Sequence, residues 1–277
     1  MDLEAAARFV EQNGDEVDRA RLRYLQHGER PAPEIAARLL AGQRADGGWA
    51  PSWAADYSSL DATCYRLARA EALGVRRDEP ALEKAVRFII LRQGRDGAWE
   101  EDPSVAEAAP PWVKPGDPAG RLYLTANCGF WLAMLASPDR TPDRRDPAFE
   151  SAMRAGKALL TALDENGSLP SYPHSLWLAA ALWYALGFHQ AARSALETLA
   201  ARIPELDPGG LAWMSTSLRQ AGIPPDEAPY EAAASRLEEL QEADGRWRSA
   251  DGPPFDLHTT LEALQALKLE GRWEAQS

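Results

Sequence analysis

One seven-residue pattern returns three times along this chain, as Gln43-Arg44-Ala45-Asp46-Gly47-Gly48-Trp49, Gln93-Gly94-Arg95-Asp96-Gly97-Ala98-Trp99 and Gln241-Glu242-Ala243-Asp244-Gly245-Arg246-Trp247. Asp-Gly is turn chemistry, because both residues tolerate the left-handed backbone region. Before each copy lies an amphipathic run, such as residues 81–91. A more apolar run of helical period follows at a distance, as at 67–73 and 261–267. The unit is therefore helix, turn, Trp, loop, helix. Self-similarity of this kind sets the architecture before any single helix is argued.

Three weaker copies fill the gaps. Leu3 to Gln12 reads as a helix ended by Asn13-Gly14, followed by a second helix through Val17 and Leu25 that stops at Gly28. Residues 152–163 pair with a Trp-rich helix at 174–186, and 191–203 pair with 211–220. Around the full motifs the expected helices are 31–40 with Asp61 to Gly74, 82–91 with 122–135, and Tyr230 onward with a helix ending at Leu269. In each pair the second helix is the more apolar. A closed ring with second helices inside and first helices outside explains that, whereas an open solenoid would show unusually polar end repeats. The expected fold is a single all-α domain over residues 1–277, a ring of six helix pairs with an inner and an outer helical layer. Glu100 to Gly120 carries five prolines and is expected to be irregular, either a lid over a central cavity or a disordered insertion. Residues 137–147 read as a linker.

Composition narrows the function classes. The net charge is −12 over 277 residues, with no basic cluster to neutralise phosphates, which excludes a nucleic-acid partner. The longest apolar run, Leu176 to Phe188, is shorter than the roughly 20 residues a membrane span needs. The N-terminus has no secretory signal pattern. Two cysteines without CxxC spacing, Cys64 and Cys128, fit a reducing compartment, so the expected location is cytoplasmic. No obligate protein partner is evident.

The Gln-x-x-Asp-Gly-x-Trp segments between helix pairs resemble the Gln-Trp repeat of the squalene–hopene cyclase and protein prenyltransferase superfamily, over nearly the whole chain. The resemblance implies the α/α toroid fold. It also implies that Gln43, Trp49, Gln93, Trp99, Gln241 and Trp247 tie the outer helices together and are not the active site. It further implies a central cavity lined near the N-terminal ends of the inner helices.

Aligning the repeats on Leu73-Gly74, Leu186-Gly187 and Gly271 places Asp61, His174 and His258 at equivalent positions, the candidate catalytic groups. Helix N-caps or rim residues would occupy the same places. A terpene-cyclase-like enzyme protonates an alkene with a buried Asp and steers the cation with aromatic faces. Candidates for such faces are Tyr65, Trp112, Tyr123, Phe130, Trp131, Trp177 and Trp213. The family's Asp-x-Asp-Asp acid motif is absent. The expected activity is cyclisation or isomerisation of a hydrophobic isoprenoid-like or polyketide-like small molecule, without a cofactor. Two alternatives stand beside it. Asp61-Ala62-Thr63-Cys64-Tyr65 and Asp256-Leu257-His258-Thr259 resemble the zinc segments of prenyltransferases, giving Asp61, Cys64 and His258 as a zinc set. The toroid would otherwise be a non-catalytic binder of hydrophobic ligands.

Overall fold

The computed structural model describes residues 1–136 and 146–273. These form twelve α-helices: α1 (Leu3–Asn13), α2 (Glu16–His27), α3 (Pro33–Leu40), α4 (Leu60–Ala72), α5 (Pro80–Leu91), α6 (Pro118–Ala136), α7 (Pro147–Leu160), α8 (Pro173–Ala185), α9 (His189–Arg202), α10 (Pro208–Gln220), α11 (Tyr230–Leu240) and α12 (Asp256–Leu269). Among the described residues there is no strand, only isolated bridges of Trp49 with Ser59 and Gln241 with Trp247. The fold is all-α, a succession of helix pairs of the α/α-toroid class. None of these helices is long and apolar enough to cross a membrane. Of the expected linker, 137–145 lies outside the described residues.

Burial separates the two kinds of helix. In α11 the buried residues are Tyr230, Ala233, Ala234 and Leu237, a single stripe. In α5 they are Leu82, Ala85, Phe88 and Ile89. By contrast α8 is buried without a break from Ser175 to Trp183, and α6 from Tyr123 to Ala133. A helix that is apolar on all sides must be enclosed on all sides, whereas a stripe needs cover on one. In these pairs the apolar second helix of the sequence pattern is the enclosed one; in the first two pairs the expectation fails, since α2 is the more polar partner and buries only one side, and α4 exposes Tyr65.

Several helices start a turn earlier than their periodicity predicts, and proline is the reason. α5, α6, α7 and α10 begin at Pro80, Pro118, Pro147 and Pro208, ahead of the expected 82, 122, 152 and 211. Proline at the first helical position lacks only an N–H that would have no partner anyway, and its φ is already helical. Asp146 and Asp207 complete two of these starts, accepting the N–H of Ala148 and Gly210, each at 2.8 Å. The Pro-rich segment is not wholly irregular either. It holds two single-turn 3-10 helices, Pro103–Val105 and Pro111–Val113, with Val105 and Val113 buried.

The chain divides into two compact units. One comprises residues 1–39, 70–75 and the chain from Leu199 on; the other comprises 40–69 and 76–198. The second unit contains the first two Gln-Trp motifs and the first unit the third, all built alike. The Trp side chains of Trp49, Trp99 and Trp247 are at most 2% exposed. Their indole N–H donates to the last turn of the preceding helix, at Leu40 O (3.3 Å), Ile89 O (2.8 Å) and Leu237 O (2.8 Å). Their backbone N–H donates to Thr63, Thr125 and Thr260 on the following helix, at 3.1–3.2 Å. Each Gln amide donates to its own turn, at Gly47, Gly97 or Gly245 O. It donates again to the next outer segment, at Ala81 O (2.7 Å), Ser151 O (2.9 Å) or Asp2 O (2.9 Å). The turn glycines have φ of +87 to +95°, and a Cβ there would collide with the backbone of Lys84, Arg154 or Ala5. Only glycine meets both demands. These motifs are joints between helices, and their side chains are used up in making them.

Within the first unit, α1 and α2 pack on α12. The buried Arg21 of α2 donates to Glu262 Oε1 (2.8 Å) and Gln265 Oε1 (2.6 Å). Glu270, just past the end of α12, is buried too. Burial pushes its carboxyl up to about 7, against the partial relief of the Ser215 hydroxyl and of Arg272, whose Nε lies at 3.5 Å. The folded protein thus holds this proton more tightly than the unfolded chain, whose value is near 4.5. Its contribution is intact below that pH and is lost as pH rises towards 7. Glu270→Gln is expected to remove the slope, leaving the variant more stable at pH 8 by up to about 3 kcal/mol. Urea unfolding at pH 4.5 and pH 8 measures this; parallel pH curves for the two proteins would refute it.

Candidate active site

In the second unit α4, α6, α8 and the Pro-rich segment bring chemistry-bearing side chains together. Asp61 sits in the first turn of α4. It is not the helix N-cap: the helix opens at Leu60, and the Ser59 hydroxyl accepts the Ala62 N–H (3.1 Å). The Asp61 carboxylate points instead at other elements. The Tyr123 hydroxyl of α6 donates to its Oδ1 at 2.5 Å, and the indole N–H of Trp112 reaches its Oδ2 at 3.4 Å. Behind Tyr123, one turn along α6, Asn127 Nδ2 donates to the phenolic oxygen at 3.1 Å. Donors thus run in a line, Asn127 to Tyr123 to Asp61.

Burial raises the Asp61 carboxyl above the usual carboxylate range, and the Tyr123 and Trp112 hydrogen bonds pull it down only in part. Desolvation disfavours the charged form, so such a group holds its proton at a pH where an exposed Asp has lost it. Tyr123 is driven well above the usual phenol value by burial and by the Asp61 charge. It therefore serves as a fixed donor and not as an acid.

The ring of His174, second residue of α8, lies edge-on to Tyr123 with centroids 4.5 Å apart and parallel to Tyr172 at 5.5 Å. Trp177, one turn along, stands 5.9 Å from it. Burial lowers His174 to about 4, so at neutral pH its imidazole is uncharged. An aromatic row thus leads away from the acid, from Tyr123, which bonds it, through His174 to Tyr172 and Trp177, and aromatic ring faces suit positive charge.

Tyr123→Phe tests the acid's setting. The lost bond favours the ionised carboxylate, so Asp61 is expected to titrate higher in the variant. It also leaves Asn127 Nδ2 without its acceptor, at about 1–3 kcal/mol. Carboxyl-carbon NMR titration and thermal unfolding read the two effects; an Asp61 titration moved downward would contradict the account.

The predicted residues divide into two groups. Asp61, His174, Trp112, Tyr123 and Trp177 come together. Phe130 and Trp131 are buried on α6 and meet edge-to-face with centroids 5.1 Å apart, within the helical core. Tyr65 is 50% exposed. His258 and Trp213 belong to the first unit, where His258 Nε2 lies 3.8 Å from Glu262. Neither His174 nor His258 is a helix N-cap. Sequence reasoning passed over Tyr57, Glu101, Asn127 and Tyr172. Two open clefts of about 530 and 460 Å³, one in each unit, are lined by none of the acid or aromatic-row side chains.

Of the expected zinc set, Asp61 and Cys64 lie in the second unit and His258 in the first. Cys64 Sγ lies 3.8 Å from Cys128 Sγ, both thiols are buried and free, and burial pushes the Cys128 thiol up. Among the described residues no three His, Cys, Asp or Glu side chains converge as a metal site would require.

No protein-family model matches the chain, and no curated protein matches it. Solved structures do. A protein from Actinoplanes superposes with a TM-score of 0.59 at 23% identity, over 97% of this chain and 89% of that one. The type II terpene cyclase MstE from Scytonema, in its apo form, superposes with a TM-score of 0.57 at 15% identity, over 97% of each chain. A variant of MstE bound to geranylgeranyl dihydroxybenzoate gives 0.59 at 14% identity, over 98% of this chain and 97% of that one. At these identities the likeness is one of fold, the α/α toroid shared along nearly the whole chain.

Proposed function

We propose that this chain is a terpene-cyclase-like enzyme that cyclises or isomerises a linear, hydrophobic prenyl chain by protonating it with Asp61. One observation carries the reading: a carboxyl whose hold on its proton is raised by burial, bonded by a phenol at 2.5 Å that itself meets the uncharged His174 ring edge-on. A general acid must keep its proton at working pH and have it within reach of the substrate. In the first step the Asp61 O–H bond breaks as its proton adds to one alkene carbon, leaving a tertiary cation on the other. A neighbouring alkene attacks that cation and closes a ring. Transfer of a proton from an adjacent carbon to water ends the sequence and Asp61 regains a proton from solvent, so the product is an isomer of the substrate. In this reading the aromatic row beside Tyr123 would steady the cation, and His174, being uncharged, would not repel it.

The substrate class rests on the fold likeness to MstE, a variant of which holds geranylgeranyl dihydroxybenzoate. Fold alone does not fix chemistry, so the assay decides. Purified protein is incubated with geranylgeranyl dihydroxybenzoate, geranylgeraniol and squalene, and the extracts are analysed by chromatography and mass spectrometry. The expected result is a new compound of unchanged mass with fewer alkene protons. Tight binding with no isomer formed would replace this reading with the non-catalytic binder.

A further inference from the structure

We propose that Glu101 is a positioning residue for this reaction, a carboxylate supplied by the neighbouring repeat that fixes the first turn of α4 and with it the catalytic Asp61. The inference rests on the proposed function and adds to it a residue outside the acid and its aromatic row.

Glu101 is 1% exposed, and four donors converge on it. The Ser59 hydroxyl donates to Oε1 at 2.6 Å and the Tyr57 hydroxyl to Oε2 at 2.8 Å. The backbone N–H groups of Leu60 (3.2 Å) and Asp61 (3.3 Å) supply the others. These are the first N–H groups of α4, which no intrahelical carbonyl can satisfy, and the positive end of the helix dipole lies there. Burial raises the Glu101 carboxyl above its usual range and the four hydrogen bonds pull it down only in part; it is the convergence of four donors on its two oxygens that fixes it in place. The cradle is itself braced, because Arg92 Nη1 donates to the Tyr57 hydroxyl (3.2 Å) and to Ser58 O (3.1 Å), and the Asp102 N–H donates to the same hydroxyl (2.9 Å).

A general scaffolding role does not account for it. All three Gln-Trp motifs share their Gln, Asp, Gly, Trp and Thr bonds, yet the residue two past the Trp is Pro51 in the first, Ser249 in the third and an acid only in the second. That one acid reaches back 40 positions to the residue whose side chain is the proposed proton donor. Asp61 is thus fixed from two directions. Glu101 holds its backbone, and Tyr123 with Trp112 holds its carboxylate. Released from Glu101, the turn can move against α6, and a displacement of about 1 Å at a reacting group costs on the order of 100-fold in rate.

The test compares wild type, Glu101→Gln and Tyr57→Phe with geranylgeranyl dihydroxybenzoate as the probe. Alongside it, the Asp61 carboxyl is titrated by carbon NMR, its signal assigned by its loss in Asp61→Asn. Glu101→Gln keeps one acceptor oxygen but places an amide N–H₂ against donors. It is expected to lower kcat about 10- to 100-fold with KM within about threefold, and to displace the Asp61 titration curve. Tyr57→Phe keeps the carboxylate and loses one donor, so it is expected to show the same split at lower amplitude, about three- to tenfold. Should Glu101→Gln fail to fold, Tyr57→Phe carries the test. A variant that melts earlier yet keeps wild-type kcat and an unmoved Asp61 titration would overturn the inference, leaving Glu101 a purely structural residue. If the wild type turns over no prenyl substrate, the proposed function fails, and the Asp61 titration still decides whether Glu101 governs that carboxyl.

Discussion

Asp61→Asn is expected to abolish turnover while leaving the fold and ligand affinity in place. The amide keeps the size of the carboxyl and can still meet the Tyr123 hydroxyl through its oxygen. It has no proton to give. Loss of a general acid costs about 10²–10⁴-fold where other acids can substitute. Here the adjacent groups cannot. Tyr123 holds its proton far too tightly, and His174, lowered to about 4, carries none to spare at neutral pH. The fall is therefore expected at the top of that range or beyond it. Isomer formation followed over hours, with affinity for the linear substrate measured by calorimetry, separates the two properties. Residual activity within tenfold of wild type would remove Asp61 from the mechanism.

Trp99→Ala carries the largest expected loss of stability. The indole is fully buried, its N–H fills the carbonyl of Ile89 at the end of α5, and its backbone N–H is bound by Thr125 of α6. Truncation opens a cavity and strands a helix-terminal carbonyl. Buried Trp→Ala changes cost about 3–5 kcal/mol, a large share of the 5–15 kcal/mol that holds a typical domain together. Denaturant unfolding should show the midpoint displaced accordingly. A loss below about 1 kcal/mol would mean that the joint tolerates collapse around the missing ring.

The helix pairs were legible in the sequence because turn chemistry and helical period both recur in register. Asp61 was legible because repeat alignment sets it level with His174. The partner of each motif was not. Thr63, Thr125 and Thr260 perform one task, but they follow their Trp by 14, 26 and 13 positions, since the intervening loop differs in length from copy to copy. Helix starts were misplaced wherever proline opens a helix, because the same residue that ends one helix begins another. Glu101 was hidden for a related reason. It lies in a Pro-rich stretch with no period to read, and its meaning comes from folding back on α4. Its one outward sign is that the second motif alone carries an acid two places after its Trp. Cys64 and Cys128, 64 positions apart in sequence, end up side by side, a proximity that their spacing does not disclose.

The third motif holds a different lesson, about the order in which the chain assembles. Gln241 and Asp2 exchange two hydrogen bonds across 239 positions, and Gly245 lies against the backbone of Ala5. Most joints link helices that leave the ribosome close together, and they can form as soon as both have emerged. The apolar stripe of α1, with Ala6, Ala7 and Val10, is translated well over 200 residues before part of its cover on α12. Closing so long a loop is costly in entropy and slow, so it follows the local pairings. A helix made early is thus finished late, and a ribosome stalled before residue 230 displays a nascent chain in which α1 still shows its apolar side to chaperones.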